Sequence, residues 1–230
     1  MVRFSNTFKE RLGVDKVKIN YQKLLDENIY QIQKKGTRPS LLIHSCCAPC
    51  SSYVIEYLSN YFDITVFFYN PNIHPEEEYR KRVIEQMEFI RKFPSASPVS
   101  FVEAVYDVGS FFAISRGLEN EPERGKRCTL CFGLRLEQTA RYAAENGFNY
   151  YTTTLSISPH KDAQLLNSMG EKLGENYGVS FLSSDFKKKN GYKRSCELSL
   201  EYGLYRQDYC GCVYSKIQSD AQRESQQNTE

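Results

Sequence analysis

The sequence lacks the glycine-rich motifs with which many α/β proteins bind nucleotides. It contains neither G-x-G-x-x-G nor G-x-x-x-x-G-K-[ST], so we expect no dinucleotide fingerprint and no P-loop. It also lacks an S-G-G-x-D-S pyrophosphatase loop. Segment 44–50, HSCCAPC, stands after the first predicted strand, where that loop would lie. Thiols therefore occupy the place where related architectures bind phosphate.

Long apolar runs, a strong net charge and tryptophan are absent too. No apolar run approaches the ~20 residues of a membrane span, and the opening segment MVRFSNTFKERLG has no signal-peptide core. The 30 basic and 28 acidic residues leave a formal net charge of +2, so overall charge does not point to a nucleic acid. We expect a cytoplasmic protein that does not associate with membranes.

Eight cysteines dominate what the sequence does contain. Seven of them form three tight groups: Cys46, Cys47 and Cys50; Cys128 and Cys131; Cys210 and Cys212. In a chain of 230 residues with 40% hydrophobic content and no secretion signal, such groups indicate metal binding or redox chemistry rather than disulfides. Cys196 stands alone, and we expect it in the core.

Two of these groups predict a four-cysteine metal site. Cys128 and Cys131 are three residues apart at the start of a predicted helix and therefore share one face. Cys46 and Cys47 can join them if the chain turns where the first strand meets its helix. Four thiolates bind zinc or an iron–sulfur cluster, and the spacing does not decide between these. The basic segment 124–127, RGKR, is expected to lower the pKa of the thiols of Cys128 and Cys131.

Cys210 and Cys212 predict a second centre. They flank a single glycine, which allows tight backbone geometry. Cys50 lies on the next helical turn after the first cysteine pair and is a candidate to join them. These three thiols predict a second metal site or a redox disulfide. The alternative is that Cys50 is simply a small buried residue and that Cys210 and Cys212 belong to a turn without a chemical role.

Apolar runs alternate with helical periodicity along the chain. Strands are predicted at 41–44, 63–69, 99–102, 150–154 and 179–182, and helices at 18–35, 76–92, 128–146 and 161–177. The alternation predicts an α/β fold, a Rossmann-like (HUP-like) parallel sheet with helices on both faces and ligands at the carboxyl-end rim of its strands. The predicted parts are a helical extension (1–39), a catalytic α/β domain (40–218) and a disordered tail (219–230).

Polar residues near the predicted rim are further candidates for chemistry. His160 follows a hydroxyl-rich strand end, which suits the binding of an anion or substrate, although a structural role is equally compatible with the pattern. Asp107 is either a general acid or a helix cap, and Tyr106 lies beside it. His44 lies inside an apolar strand and is expected to be a buried, hydrogen-bonded histidine.

A basic run with interleaved aromatic residues is a candidate contact for nucleic acid. Its members are Lys187, Lys188, Lys189, Lys193 and Arg194. Basic residues beside aromatic rings bind phosphates and stack on bases, whereas a run of charges alone is more often a solvated loop. The tyrosines considered for base stacking are Tyr69, Tyr79 and Tyr192.

Five segments together resemble one known family. They are HSCCAPC (44–50), FYNPNIHP (68–75) with Glu78, Tyr79 and Arg82 after it, RCTLC (127–131), TLSISPHK (154–161) and YCGCVYS (209–215). In this combination the chain resembles the cobalamin-independent epoxyqueuosine reductase family, QueH, over residues 41–216. The resemblance implies a two-electron reduction of epoxyqueuosine to queuosine and water at the wobble position in the anticodon loop of tRNA, with electrons from an external donor.

The resemblance also implies two metal centres. The ligands that it implies for a 4Fe–4S cluster are Cys46, Cys47, Cys128 and Cys131. The ligands that it implies for an adjacent mononuclear iron are Cys210 and Cys212, with Cys50 as a further candidate because some family members carry aspartate there. The proton-donor candidates are Asp107, Tyr106 and His160.

Two alternatives from other classes stay open at this point. A tRNA sulfur-transfer enzyme would also use an iron–sulfur centre on this architecture, but the missing phosphate-binding loop argues against it. A zinc-stabilised RNA-binding module would perform no chemistry, and it would be colourless after anaerobic purification.

Overall fold

Five parallel strands form the sheet of the computed structural model, which describes residues 19–227. The strands are β1 (Ser40–His44), β2 (Asp63–Phe68), β3 (Ser100–Glu103), β4 (Tyr150–Thr153) and β5 (Ser180–Phe181). Their order is β3-β2-β1-β4-β5, and every neighbouring pair is parallel. This arrangement confirms the predicted Rossmann-like α/β fold.

Eight α-helices of the described region surround the sheet. They are α1 (Tyr21–Lys34), α2 (Ala48–Leu58), α3 (Glu76–Lys92), α4 (Val108–Ser115), α5 (Lys126–Glu145), α6 (Ala163–Tyr177), α7 (Gly191–Glu201) and α8 (Val213–Gln227). A 3-10 helix, Thr154–Ile157, follows β4. Between residues 19 and 227, no helix has the length and apolar character needed to cross a membrane.

The central strand β1 is buried on both faces. Leu41 and Ile43 pack with Val54 of α2 in one core, whereas Leu42 packs with Ala140 of α5 in another. All five side chains are fully buried. A parallel strand covered by helices on both sides needs apolar residues at consecutive positions, which explains the short apolar run in the sequence.

Helix α1 packs on the core that contains α2. Leu25, Ile29 and Ile32 recur at helical spacing and belong to that core. Asn20 caps the helix, because its side chain accepts a hydrogen bond from the backbone N–H of Lys23 (3.1 Å). The helix predicted near residues 18–35 is therefore present, and the first eighteen residues of the predicted extension lie outside the described region.

The carboxyl-terminal segment differs from its prediction. Residues 219–227, expected to be disordered, continue α8, and the last three residues of the chain lie outside the described region. The backbone N–H of Ser215 donates to Cys212 Sγ (3.3 Å) at the start of the helix, and Lys216 pairs with Asp220 (3.0 Å) one turn later. The polar composition of this segment suggested disorder. A capped start and ion pairs between side chains one turn apart stabilise a helix here instead.

The strand order brings two loops together at one rim of the sheet. β1 and β4 are neighbours, with His44 opposite Thr153 at their carboxyl ends. Segment 45–47 continues from β1, and segment 154–162 continues from β4. The strand order reverses at this pair of strands, and open α/β sheets bind ligands at such a point. The first cysteines and His160 therefore approach the same rim.

Candidate metal centre

The first thiol group lies where β1 ends and α2 begins. Cys47 occupies the N-cap position of α2 with φ −175° and ψ 160°, and Pro49 stands in the first helical turn. Cys46 Sγ lies 3.9 Å from Cys47 Sγ, and both sulfurs lie within 4.8 Å of Cys50 Sγ. The turn from strand to helix brings these cysteines to one point, where their three thiols can hold a metal ion.

The second and third thiol groups share a cavity of about 100 Å³, which we call the thiol cavity. The cysteines that line it are Cys128 and Cys131 of α5 and Cys210 and Cys212 before α8. Cys210 Sγ lies 3.6 Å from Cys212 Sγ and 3.1 Å from the Oγ of Ser215. The segment just before α8 therefore places the thiols of Cys210 and Cys212 beside the start of α5.

The thiol groups are also neighbours of one another. Cys128 packs against the buried cluster that contains the first group, and Cys131 packs with both cysteines of the third group. Cys196 lies on α7, half-buried and apart from these groups. The structure therefore brings the clustered thiols to one end of the sheet, with those of α5 between the other two groups.

A buried arginine positions the loop that carries the third group. Gly211 has φ +111°, and an added Cβ would lie 2.9 Å from Ile73 Cγ1 and 3.2 Å from Arg82 Nη1, so this position requires glycine. Arg82 donates from Nη1 to the carbonyl of Cys210 (3.4 Å) and pairs through Nη2 with Glu78 (2.6 Å). The Glu78–Arg82 pair of α3 therefore holds the loop that carries Cys210 and Cys212 in place.

The first and third groups each contain one cysteine with a lowered pKa. Hydrogen bonds from Cys47 and Cys50 hold the pKa of Cys46 well below its usual range, and a hydrogen bond from Cys212 does the same for Cys210. Donation to Cys46 raises the pKa of Cys47 to about 12. Within each of these groups one sulfur is therefore the preferred site of negative charge, and metal binding to the group releases protons.

The second group differs from the expectation that nearby basic residues lower its pKa. Burial raises the pKa of Cys128 and raises that of Cys131 to about 11, because desolvation outweighs the positive charges nearby. Arg127 turns inward instead: it is 1% exposed, and its Nη1 donates to three backbone carbonyls between residues 118 and 121. Its guanidinium therefore anchors the turn before α5.

The thiols lie at the amino-terminal ends of three helices. Cys47 caps α2, Cys128 in the first turn of α5 accepts from the N–H of Arg124 (3.3 Å), and Cys212 accepts from the N–H of Ser215 (3.3 Å) at α8. Helix N-termini favour negative charge. The donors present are soft sulfurs, and a bound metal ion deprotonates the thiols that coordinate it, so the site fits a thiolate-bound metal cofactor.

One buried cation of this site was not found from the sequence. Arg135 lines the thiol cavity and is 3% exposed. It follows Cys131 by four residues and Cys128 by seven, which places all three on one face of α5. An arginine at this helical spacing behind a C-x-x-C pair is the signal that could have identified it.

Buried polar atoms without a partner occur at the same rim. The side-chain amide of Asn70 donates to the carbonyl of Ser45 (2.8 Å), but its Oδ1 has no partner among the described residues. Asn72 Oδ1 and Thr154 Oγ1 are likewise buried and unpaired within residues 19–227. Because buried polar atoms normally form hydrogen bonds, these atoms are consistent with a rim that receives a polar ligand.

His160 is the proton-transfer candidate that lines the thiol cavity. Arg124 Nη2 donates to His160 Nδ1 (2.6 Å). Because this nitrogen accepts a hydrogen bond, the neutral imidazole carries its proton on Nε2. The cavity-lining residue Lys161 follows directly, so two cations and an imidazole stand beside the thiols.

The other two candidates make structural contacts. Tyr106 donates its hydroxyl proton to the carbonyl of Ile73 (2.7 Å). Asp107 is exposed and caps α4, accepting from the backbone N–H of Ser110 (3.3 Å). Neither residue lines the thiol cavity. Their roles in catalysis stay predictions, and the capping alternative for Asp107 is present in the structure.

Aromatic and imidazole side chains beside the strands are mostly buried. His44 contacts Thr153 Oγ1 through Nδ1 (2.9 Å) and the carbonyl of Tyr69 through Nε2 (3.2 Å), and burial lowers its pKa to about 3. It is the buried, hydrogen-bonded histidine that was expected. Tyr69 and Tyr79 are 6% and 0% exposed, so neither ring is free to stack on a base, whereas Tyr192 is 38% exposed.

The basic run around the start of α7, which we call the α7 basic surface, is largely paired with carboxylates. Its members are Lys187, Lys188, Lys189, Lys193 and Arg194. The pairs are Lys187–Asp185 (2.6 Å), Lys189–Asp26 (2.7 Å), Lys193–Glu197 (3.9 Å) and Arg194–Glu56 (2.6 Å). These contacts favour a solvated protein surface over a phosphate-binding site.

Comparison with known proteins identifies the family. The model of the family described as Epoxyqueuosine reductase QueH matches residues 41–218. A Streptococcus pyogenes serotype M1 protein named epoxyqueuosine reductase QueH is 47% identical over 200 residues, which cover 86% of this chain and 78% of the relative.

Two further relatives carry the same name. That of Staphylococcus epidermidis is 45% identical over 204 residues, covering 87% of this chain and 86% of the relative. That of Thermotoga maritima is 35% identical over 179 residues, covering 78% and 91%. The span matched by the family model includes every clustered cysteine. The chain belongs to the epoxyqueuosine reductase QueH family.

Proposed function

We propose that this chain reduces epoxyqueuosine to queuosine at the wobble position in the anticodon loop of tRNA. As a member of its family the chain is an oxidoreductase. The observation that carries the proposal is the convergence of three thiol groups at the carboxyl-end rim of the sheet, in a chain of this family. The net reaction adds two electrons and two protons to the epoxide and releases its oxygen as water.

We assign two metal centres to the thiols. The residues assigned to a 4Fe–4S cluster are Cys46, Cys47, Cys128 and Cys131, and those assigned to an adjacent mononuclear iron are Cys210, Cys212 and Cys50. The contact between Cys128 and the buried cluster of the first group supports the first set. When bound, these centres supply electrons one at a time and a Lewis acid for the epoxide oxygen.

His160 is the proton donor best supported by position. It lines the thiol cavity, and the hydrogen bond from Arg124 orients its ring with the proton on Nε2. Asp107 and Tyr106 are less favoured as proton donors, because each forms a hydrogen bond elsewhere and neither lines the thiol cavity. The Nε2–H can donate a hydrogen bond to the oxygen that leaves as water, and to transfer a proton the ring would act from its doubly protonated form and return to the neutral tautomer.

The partner and setting follow from the same reaction. The substrate is a tRNA, whose anticodon loop exposes the modified base so that it can enter a protein site. Cations at the cavity, Arg124 and Lys161, supply charge for backbone phosphates near that loop. The two electrons come from an external donor, in the cytoplasm where tRNA is modified.

A reaction with defined tRNA tests this function. Anaerobically purified, iron-replete protein is given dithionite and tRNA that bears epoxyqueuosine, without ATP or cobalamin, and the digested nucleosides are analysed by mass spectrometry. We expect a nucleoside lighter by one oxygen, and about four to five irons with about four sulfides per chain. A reaction without reductant is the control.

The other functional classes are outcomes of the same experiment. An epoxide that stays intact with metal-replete protein would overturn the proposal. Addition of sulfur that requires ATP would support a sulfur-transfer enzyme, and a colourless protein containing only zinc would support an RNA-binding module.

A further inference from the structure

Arg135 lies on the same stripe of α5 as two thiols of the thiol cavity. Its Nε donates to the carbonyl of Cys131 (3.3 Å), one helical turn earlier. The side chain is 3% exposed and lines the cavity together with Cys128 and Cys210. A guanidinium remains protonated under all ordinary conditions, so this is a permanent positive charge deep in the protein.

The other two buried arginines of the described region are neutralised or bound in different ways. Arg82 pairs with the carboxylate of Glu78 (2.6 Å). Arg127 donates to three backbone carbonyls and lies over the ring of Tyr214, with 4.5 Å from its Cζ to the ring centroid. Arg135 donates to one carbonyl and lies over the ring of Phe132, with 5.6 Å from its Cζ to the ring centroid. Glu123 and Asp162 line the same cavity, but Arg135 has no carboxylate within 4.0 Å among residues 19–227, so no ion pair neutralises it there.

Thiolates that hold a metal in this cavity would supply a counter-charge. A buried charge without a partner is strongly unfavourable, so it persists only where an opposite charge compensates for it. The cysteines of the second and third groups line the same cavity as Arg135. Their thiolates, formed when a metal binds, would lie beside the guanidinium in a poorly hydrated site.

We propose that Arg135 is a built-in cation that raises the reduction potential of the metal centre held by these thiols. This inference rests on the proposed function, because it requires that the thiolates hold a reducible centre. Uptake of an electron makes a thiolate-ligated centre more negative by one charge. A fixed cation in a poorly hydrated site stabilises that reduced form more than the oxidised form, since a low dielectric strengthens the interaction. Arg135 acts through the centre and is not a catalytic residue.

Redox titration of the intact protein tests the proposal. Wild type, Arg135→Gln, Arg135→Met and Arg135→Lys are purified anaerobically and titrated with dithionite and mediators, without tRNA, while absorption and electron paramagnetic resonance are recorded. We expect the two uncharged variants to have a midpoint potential lower by at least about 59 mV, which is a tenfold change in a one-electron equilibrium. Arg135→Lys keeps the charge and should lie within about 30 mV of wild type.

The matched control lies on the same helix. Arg141 is exposed and pairs with Glu145 at 3.9 Å, so Arg141→Gln should leave the potential unchanged. The uncharged variants could fail to fold or to hold metal. In that case a wild-type metal content and midpoint potential in Arg135→Lys would still support a role for the positive charge at this position. An uncharged variant with a shift below about 59 mV overturns the proposal, as does failure of Arg135→Lys alongside the uncharged variants.

The outcome is independent of the reaction test. If wild type holds a reducible centre and the uncharged Arg135 variants have the same midpoint potential, this inference is overturned and the proposed reaction is unaffected. A wild-type protein without any reducible centre overturns both.

Discussion

The thiol cavity and the α7 basic surface both contain cations, but they differ in where the counter-charge comes from. On the α7 basic surface, Arg194 binds Glu56 and Lys189 binds Asp26, and all four side chains are at least 30% exposed. In the thiol cavity, Arg135 is 3% exposed and has no carboxylate partner in the described part of the chain. Its neighbours in the cavity include four cysteines, whose thiolates would carry the opposite charge in the metal-bound protein.

This difference shows why a run of charges in a sequence is a weak indicator of function. The five basic residues near α7 are conspicuous because they are close together in the chain, yet four of them pair with carboxylates, two of which lie on other helices. Arg135 is inconspicuous in the sequence, but its burial beside thiols gives its charge a strong effect. Burial and the identity of the partner decide what a cation does.

The largest expected effect is the loss of a thiol from the cavity. Cys128→Ser should reduce iron, sulfide and visible absorption to background, because this thiol packs against the buried cluster that contains Cys46 and Cys47 and is assigned to the iron–sulfur cluster. Activity should fall at least about 100-fold, beyond the 10–100-fold that loss of an outer-shell partner costs. Cys212→Ser should remove about one iron and keep most of the cluster absorption.

Cys196→Ser is the matched control, because Cys196 is half-buried on α7 and apart from the thiol groups. It should keep full iron and full activity. If Cys212→Ser removes the whole cluster while Cys128→Ser retains it, the assignment of ligands is wrong. If both variants lose everything, the four cysteines of the thiol cavity form one site.

Much of the framework of this site could be predicted from the sequence. The apolar run at β1 and the alternation of strands and helices predict a parallel sheet, and the carboxyl ends of parallel strands share one rim. Cys46 and Cys47 follow β1 directly, so their place at that rim was predictable. Neither the packing of Cys128 against the buried cluster that contains Cys46 and Cys47 nor the cavity that it shares with Cys212 was predictable, because both depend on packing between distant segments.

The missed features have physical causes as well. The pKa of Cys128 is raised rather than lowered because burial, which a sequence does not reveal, outweighs nearby charge. Residues 219–227 are helical because the start of α8 is held at Cys212, seven residues before the polar segment that suggested disorder.

An intermediate effect is expected on tRNA binding. Lys161 lines the thiol cavity, and its charge acts on Cys46 and Cys210, whereas Lys193 of the α7 basic surface pairs with Glu197. Lys161→Gln should weaken tRNA binding and reduce the slope of log affinity against log salt by roughly one unit. Lys193→Gln, the same substitution at the other region, should leave the slope unchanged. Filter binding across a salt series measures both.

The reverse pattern would break the comparison between the two regions. A slope reduced by Lys193→Gln and unchanged by Lys161→Gln would mean that the α7 basic surface contacts phosphates after all, despite its carboxylate partners.

The smallest expected effect concerns stability on the α7 basic surface. Arg194 of α7 donates to both carboxylate oxygens of Glu56 on α2, through Nε at 3.1 and 3.0 Å and through Nη2 at 2.6 Å. The pair joins two helices, but its side chains are 37% and 32% exposed, so solvent screens it. Arg194→Gln should therefore cost roughly 0.2–1 kcal/mol of unfolding free energy. For a protein of this size that lowers the Tm by at most about 4 °C, measured by circular dichroism at equal metal content.

Salt and a neighbouring variant sharpen this last prediction. Because the pair is partly exposed, the difference between wild type and Arg194→Gln should shrink in about 1 M salt, where the screening length is about 3 Å. Lys193→Gln removes only a 3.9 Å contact between side chains that are 77% and 48% exposed, so its Tm should stay at the wild-type value. Neither variant should change iron content or midpoint potential, because neither residue lines the thiol cavity. A loss of metal in Arg194→Gln would show that the two regions are energetically coupled, and the contrast drawn between them would then fail.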